Sequence, residues 1–191
     1  MAHKFNPAHK NILDNEWRRE HVPAKETLLA LGLKVTDTAA DIGCGTGYFT
    51  LPIAEIVDIN NKVYGLDTSQ EMVLEVASRA KKAEFENIIT LLTEEYDFKL
   101  ADKQVSFALL VNVLHEIEDK AKFITEIKRI LQPRGKIAVI DWDGEHLEMG
   151  PPIAHRLAIE ELKSLLTVAG FKIKQEMSFA NYFYGLVGEL K

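Results

Sequence analysis

Ala39-Ala40-Asp41-Ile42-Gly43-Cys44-Gly45-Thr46-Gly47-Tyr48 is the stretch from which the rest of the chain can be read. It opens as the end of an apolar strand and closes as the start of a helix, expected from about Thr46 to Val57. Gly43, Gly45 and Gly47 leave the turn between them without Cβ atoms, so the backbone can adopt φ > 0 and a ligand can approach it closely. A helix starting there would point free N–H groups and its positive dipole end into the turn, as a carboxylate or phosphate requires. The stretch reads as a cradle for a small cofactor with an anionic head.

A dinucleotide site would show G-x-G-x-x-G, the third glycine allowing close helix–strand packing. Here Tyr48 stands at that third position and the spacing is G-x-G-x-G, with Asp41 before it. A second acid, Asp67, closes the next apolar run, Lys62-Val63-Tyr64-Gly65-Leu66-Asp67. A carboxylate there can accept hydrogen bonds from both hydroxyls of a ribose. These residues point to an adenosine-type cofactor with a compact polar tail. The pattern D-I-G-C-G-T-G-Y followed by L-D resembles the class I S-adenosylmethionine-dependent methyltransferases. The resemblance implies S-adenosyl-L-methionine as cofactor, with the methionine half at Asp41, Gly43, Gly45 and Gly47 and the ribose at Asp67 and Thr68.

Outward from the turn, apolar runs alternate with helical periodicity. Strands are expected at 38–42, 63–66, 88–92, 105–111 and 137–140, and helices after Ser69, over 120–131 and over 158–169. Two last strands, 171–177 and 181–187, are joined by a short turn. The alternation predicts an α/β fold, a Rossmann-like doubly wound sheet with helices on both faces. Seven strands, mostly parallel with an antiparallel last strand, agree with the class I methyltransferase fold over about residues 36–188. Before it, Asn6-Pro7 reads as a turn, and Ile12, Leu13 and Trp17 share a helical face. Pro23 opens a short helix stopped by Gly32. Residues 1–35 are therefore taken as an N-terminal helical cap, either a flap over the cofactor or surface packing, and 36–191 as the cofactor-binding domain.

Ligands of open parallel sheets sit beyond the carboxyl ends of the strands. After strand three come Thr93-Glu94-Glu95, where the resemblance places an acid on the adenine amino group, matched by Glu94, and the next backbone N–H, that of Glu95, on the adenine ring. Met72 is either an apolar wall for the purine or a helix core residue. After strand four, Val111 or Asn112 would offer a carbonyl to the cofactor ammonium, again by resemblance. His115 follows, a side chain suited to proton transfer near neutral pH or to orienting a substrate. Strand five ends in Asp141-Trp142, and then comes Gly150-Pro151-Pro152. The paired prolines form a stiff segment expected to aim His155 and Arg156 at the cleft, where Arg156 could hold an anionic group. The G-P-P-x-x-H-R run, with D-W and L-H-E, resembles a bacterial subgroup related to the ubiquinone/menaquinone C-methyltransferase type. Tyr182 and Tyr184 alternate with Phe183 on the last strand, so one of the two tyrosines could face the pocket.

An activated methyl donor leaves the protein mainly the work of positioning. A general base is needed only for an acceptor that arrives protonated; the candidates are His115, His155 and Asp141. Trp142, Arg156 and Tyr184 are candidate substrate contacts.

The 191 residues, 47% hydrophobic with a net charge of −6, suit one globular domain. The interleaved charges disfavour a nucleic-acid partner, which calls for a basic face, and favour a small-molecule substrate. No apolar run reaches the ~20 residues that span a bilayer. The start carries no secretory pattern, and the single cysteine, Cys44, fits a reducing cytoplasm and excludes an internal disulfide. The chain is expected as a monomer or homodimer. His115, His146 and His155 match no compact metal motif, so no metal is expected. The competing readings are an NAD-dependent oxidoreductase and a catalytically inactive S-adenosylmethionine-binding protein.

Overall fold

Short runs of Ala, Ile, Val, Leu and Phe, buried on both sides, form the centre of a seven-stranded sheet. The computed structural model describes residues 14–143 and 150–191; Asn6, Pro7, Ile12, Leu13 and His146 lie outside them. The strands are β1 (Ala39–Ile42), β2 (Val63–Asp67), β3 (Ile88–Leu92), β4 (Val105–Val111), β5 (Leu131–Trp142), β6 (Phe171–Phe179) and β7 (Phe183–Leu190). Their order is β3-β2-β1-β4-β5-β7-β6. The first five run parallel, and β7 lies antiparallel between β5 and β6. The order reverses at β1/β4, which opens a crevice beyond the carboxyl ends of those two strands.

Two cores cover the faces. On one, Leu110, Val139 and Leu186 meet α5 (Lys120–Ile130) and α6 (Ile159–Val168) through Phe123, Ile127, Leu162 and Leu166. On the other, Phe107, Leu109 and Ile140 meet α2 (Ala24–Ala30) and α3 (Thr50–Ile56) through Leu28 and Ile53. A further helix, α4 (Gln70–Lys82), packs along β2 and β3 with Met72, Val73, Val76 and Ala80 buried. The first helix, α1 (Glu16–His21), is capped by Asn15, whose side chain accepts from the Arg18 N–H.

The clearest departures from the expected elements are at α3 and β5, and the start of α4 is tied down from outside the helix. Helix α3 starts at Thr50 rather than Thr46, because Gly45 (φ +52°) and Gly47 (φ +84°) hold left-handed backbone that no helix can include. At the start of α4, Ser69 makes no side-chain cap; the Asp67 carboxylate accepts the Ser69 N–H instead, at 2.8 Å. Strand β5 runs through Pro133-Arg134-Gly135 from Leu131, with Arg134 at φ +63° and the register against β4 shifting there. Pro133 lacks the N–H that a regular ladder uses, and the irregular segment accommodates it.

Candidate functional site

The glycine turn is tied down at both sides. Gly43 and Cys44 donate their N–H groups to the Leu66 carbonyl at 2.8 and 2.9 Å, and Gly45 donates to Asp67 Oδ2 at 3.0 Å. A Cβ on Gly43 would stand 2.5 Å from Val113 Cγ2, so only glycine lets β1 turn this close to the end of β4. Gly47 serves packing: a Cβ there would meet Leu51 Cδ1 at 2.7 Å and Val76 at 3.1 Å. Asp67 thus fastens the turn to the start of α4, and each of its oxygens keeps a lone pair for a ligand. Burial raises the Asp67 carboxyl above its ordinary range, against the opposing N–H groups of Ser69, Gly45 and Thr68.

Asp41 is buried behind the turn and accepts a 2.6 Å hydrogen bond from the Thr50 hydroxyl. Burial pushes its carboxyl up to about 6, although Thr50 and the Arg18 charge pull the other way; Asp67 adds to the rise. Burial likewise holds the Cys44 thiol well above its usual range, leaving it a packing group.

A cavity of about 790 Å³ opens over this turn, within the roughly 300–1,000 Å³ common for small-ligand sites. It runs from Asp41, Gly43, Gly45, Asp67, Thr68, Met72, Glu94 and Glu95 past Val111 and Asn112 to His115 and Trp142. Every residue in that series was singled out from the sequence. Two buried polar atoms on the wall, Thr46 Oγ1 and Asn112 Oδ1, have no partner among the described residues. Asn112 takes φ +58°, a conformation asparagine tolerates, and its N–H donates to the Ile140 carbonyl at 2.8 Å. Glu94 is exposed and pairs with Lys99 at 3.3 Å.

Beyond Asn112 the chain makes one 3₁₀ turn, Leu114–Glu116, that delivers His115 to the end of β5. There Asp141, fully buried, accepts from His115 Nδ1 at 2.6 Å, from the His115 N–H at 3.2 Å and from the Trp142 N–H at 2.9 Å. An ionised carboxylate only accepts, so Nδ1 carries the proton and Nε2 is the nitrogen left to take one up. Burial lowers the imidazole pKa, but the hydrogen bond and charge of Asp141 outweigh it, and the net value lies above the ordinary 6.5. Glu116, whose Oε1 is 3.8 Å from Nε2, adds to the rise and Lys120 opposes it.

The three base candidates therefore part company. His115 lines the cavity, whereas Asp141 does not and reaches it only through His115. His155, at the end of the 3₁₀ turn Ile153–His155 that follows Pro152, is exposed and does not line the cavity, which the chain leaves after Pro152. Arg156 also stands outside: its Nε donates to the Pro151 carbonyl at 3.0 Å, its Nη1 to the Asp143 carbonyl, and its Cζ lies 5.7 Å from the Trp142 ring centre. It braces the wall that Trp142 presents. Tyr184 is buried with its hydroxyl donating to the Leu157 carbonyl at 2.9 Å. Strand alternation turns Tyr184 to the α5/α6 side and Phe183 to the cavity.

Site residues that the sequence did not single out come from α1, in the segment read as either a flap over the cofactor or surface packing, and from β7. Asn15, Trp17, Arg18 and Phe183 all line the cavity, and Trp17 meets Phe183 with ring centres 6.2 Å apart. Residue 183 was legible only as an alternating neighbour of two tyrosines. Arg18 carried no signal, since a basic residue in a short polar helix ordinarily faces solvent.

The family described as "Methyltransferase domain" matches residues 40–139. The chain belongs to it. This methyltransferase is of the class I, type 11 kind, and its cofactor is S-adenosyl-L-methionine. Its fold is that of a solved S-adenosylmethionine-dependent methyltransferase from Aquifex aeolicus, 29% identical, with a TM-score of 0.93 over 98% of this chain and 100% of that one. It is also 30% identical over 113 residues to the 2-phytyl-1,4-naphtoquinone methyltransferase of Trichormus variabilis, covering 58% of this chain and 49% of that enzyme. To the demethylmenaquinone methyltransferase of Bacillus mycoides it is 24% identical over 125 residues, 65% of this chain and 53% of that enzyme. The methyltransferase thus matches about half the length of these two curated relatives. Among the described residues no helix is long and apolar enough to cross a membrane, and no three His, Cys, Asp or Glu side chains group as metal ligands.

Proposed function

We propose that the protein methylates a small, largely apolar acceptor whose nucleophilic atom arrives protonated, and that His115 removes that proton. The observation that carries the reading is one cavity holding both the glycine turn and a histidine whose Nδ1 is fixed on a buried aspartate. S-adenosyl-L-methionine supplies a methyl group already activated on a sulfonium. The chain's own residues divide the remaining work. Asp67 would hold the ribose hydroxyls with its spare lone pairs, Met72 the purine face and Glu94 or Glu95 the adenine amino group. The orphaned Thr46 Oγ1 and Asn112 Oδ1 suit the polar amino-acid tail. Thr68 stands beside Asp67, and the Val111 or Asn112 carbonyl would hold the ammonium.

At the other end Trp17, Trp142 and Phe183 offer flat apolar walls and little to recognise a charged polymer. The quinone methyltransferases among the relatives support a flat acceptor of this kind. His115 Nε2 accepts the acceptor's proton as the methyl group moves, and Asp141 stabilises the imidazolium that results. Asp141 acts through His115, and Arg156 through Trp142.

The test is an assay with isotopically labelled methyl donor and a panel of phenols, hydroquinones and metabolite extract, identifying products by mass. A labelled small-molecule product is expected. His115→Gln should then lower kcat about 100-fold, within the usual range for a lost acid–base group, while S-adenosylhomocysteine binds as before. Label that enters only protein or RNA, or full turnover by His115→Gln, would overturn the reading.

A further inference from the structure

Among the described residues the Arg18 guanidinium has no hydrogen-bond or ion-pair partner of its own. It lines the cofactor cavity beside Tyr48 and Phe49, with Cζ 5.1 and 5.7 Å from their ring centres. Its nearest acids are occupied elsewhere. Asp41 receives the Thr50 hydroxyl, and Asp14 is bound by Arg19 at 2.8 Å and by Arg79 at 3.0 Å. A guanidinium withdrawn from water with nothing to pair is costly, and a cavity lined by one favours a ligand that brings an anion.

Nor is the position accidental. Arg79 on α4 bridges the two pieces: its Nη1 donates to the Thr46 carbonyl in the glycine turn at 2.7 Å, and its Nη2 holds Asp14 just before α1. The Tyr48 hydroxyl reaches the Val22 carbonyl at 2.9 Å at the other end of α1. The turn is thus clamped to the helix from both sides, and Arg18 is brought to the cavity wall near enough to Asp41 for the two charges to interact. We propose that Arg18 is a carboxylate-binding residue of the cofactor site, which takes the amino-acid carboxylate of S-adenosyl-L-methionine, and that Arg79 is a positioning residue that latches α1 with Asp14 so that Arg18 is in place. The proposal rests on S-adenosyl-L-methionine as cofactor and gives the N-terminal segment a part in holding it. The same guanidinium would also suit a carboxylate on the acceptor, and the experiment separates the two sources.

Calorimetry compares S-adenosylhomocysteine with 5′-methylthioadenosine, which keeps the nucleoside and thioether but lacks the amino-acid tail. Arg18→Gln should weaken S-adenosylhomocysteine roughly 30-fold, as for the loss of a charge-assisted hydrogen bond, and leave methylthioadenosine within about twofold. Arg18→Lys should fall between, because a point charge replaces the planar fork. Arg79→Met should give a smaller loss on S-adenosylhomocysteine alone, partly restored by Arg79→Lys. The methyl ester of S-adenosylhomocysteine, tested on the unaltered protein, needs no variant and should bind as weakly as the tailed ligand binds to Arg18→Gln. Equal losses on both nucleosides would make Arg18 structural and overturn the proposal. Unchanged affinity for both, with a raised KM for a carboxylated acceptor, would assign the charge to the acceptor and overturn it too. Absence of binding by the unaltered protein would instead remove the cofactor reading beneath it.

Discussion

At the glycine turn the cavity wall is backbone and buried carboxylate; at the His115 end it is side chains from four separate segments. The first end is rigid by construction: the Leu66 carbonyl accepts the Gly43 and Cys44 N–H groups, and the Asp67 carboxylate accepts those of Gly45 and Ser69. The second is assembled from Trp17 on α1, His115 after β4, Trp142 on β5 and Phe183 on β7. Backbone shape cannot be altered by changing one side chain, except at a glycine. Side-chain walls can be exchanged one residue at a time. The difference suits a protein that keeps a constant cofactor while its acceptor varies, and it predicts that substitutions at the two ends fail in different ways.

The largest effect is expected at Gly43. Alanine there would place Cβ 2.5 Å from Val113 Cγ2 and would hold φ at +74°. The clash and the left-handed backbone together cost about 2–4 kcal/mol, taken from the turn that carries the cofactor. Gly43→Ala should lose S-adenosylhomocysteine binding by at least about 30-fold and also lower Tm. Adding Val113→Ala removes the contact but not the dihedral, so the double variant should recover only part of both. Full recovery would show that sterics alone, not backbone conformation, reserve this position for glycine.

Asp141→Asn addresses the other end, with a moderate effect confined to turnover. In the native protein the acid limb of kcat/KM should lie above pH 6.5, because Asp141 raises the His115 pKa and a protonated imidazole accepts nothing. Asparagine keeps the shape and removes the charge, leaving burial to act unopposed except by Glu116. The limb should then move below 6.5 and kcat should fall about 10- to 100-fold, with cofactor affinity unchanged. A limb that stays put would mean that Asp141 only shapes the β5 end.

The contrast between the two ends also explains what the sequence made legible. Gly43, Gly45 and Asp67 were readable because backbone constraints recur at fixed spacing along the chain. The sheet was readable because strands buried on both faces, such as Val105–Val111, need near-continuous apolar runs. His115 and Asp141 were each visible, but their 2.6 Å pairing depends on the β4–β5 register, which no local pattern encodes. Tyr184 and Arg156 look from the sequence like pocket residues. Strand parity and two main-chain carbonyls, from Pro151 and Asp143, direct them elsewhere. Trp17 and Arg18 were illegible as site residues because their place comes from Arg79 and Tyr48, far away in the chain. The helix after the turn begins four residues later than its composition suggests, since the glycines that shape the cradle also forbid the helix.

The smallest effect is predicted within the rigid end itself, at Asp41. Burial raises its carboxyl to about 6 from the usual 3.8, so the folded protein holds that proton more tightly than the unfolded chain. The sign follows from linkage: the contribution is fully present below 3.8 and is lost as pH rises through about 6. Between pH 5 and pH 8 the loss from this group comes to about 1 kcal/mol. Asp41→Asn cannot titrate, and its amide oxygen can still accept from Thr50. The native protein should therefore be more stable relative to Asp41→Asn at pH 5 than at pH 8, by about that amount, in paired denaturant melts. A difference that is flat with pH in the free protein would mean that Asp41 stays ionised throughout, its charge balanced by Arg18. In that case the guanidinium would already have its partner, and the asymmetry between the two ends of the cavity would rest on the backbone alone.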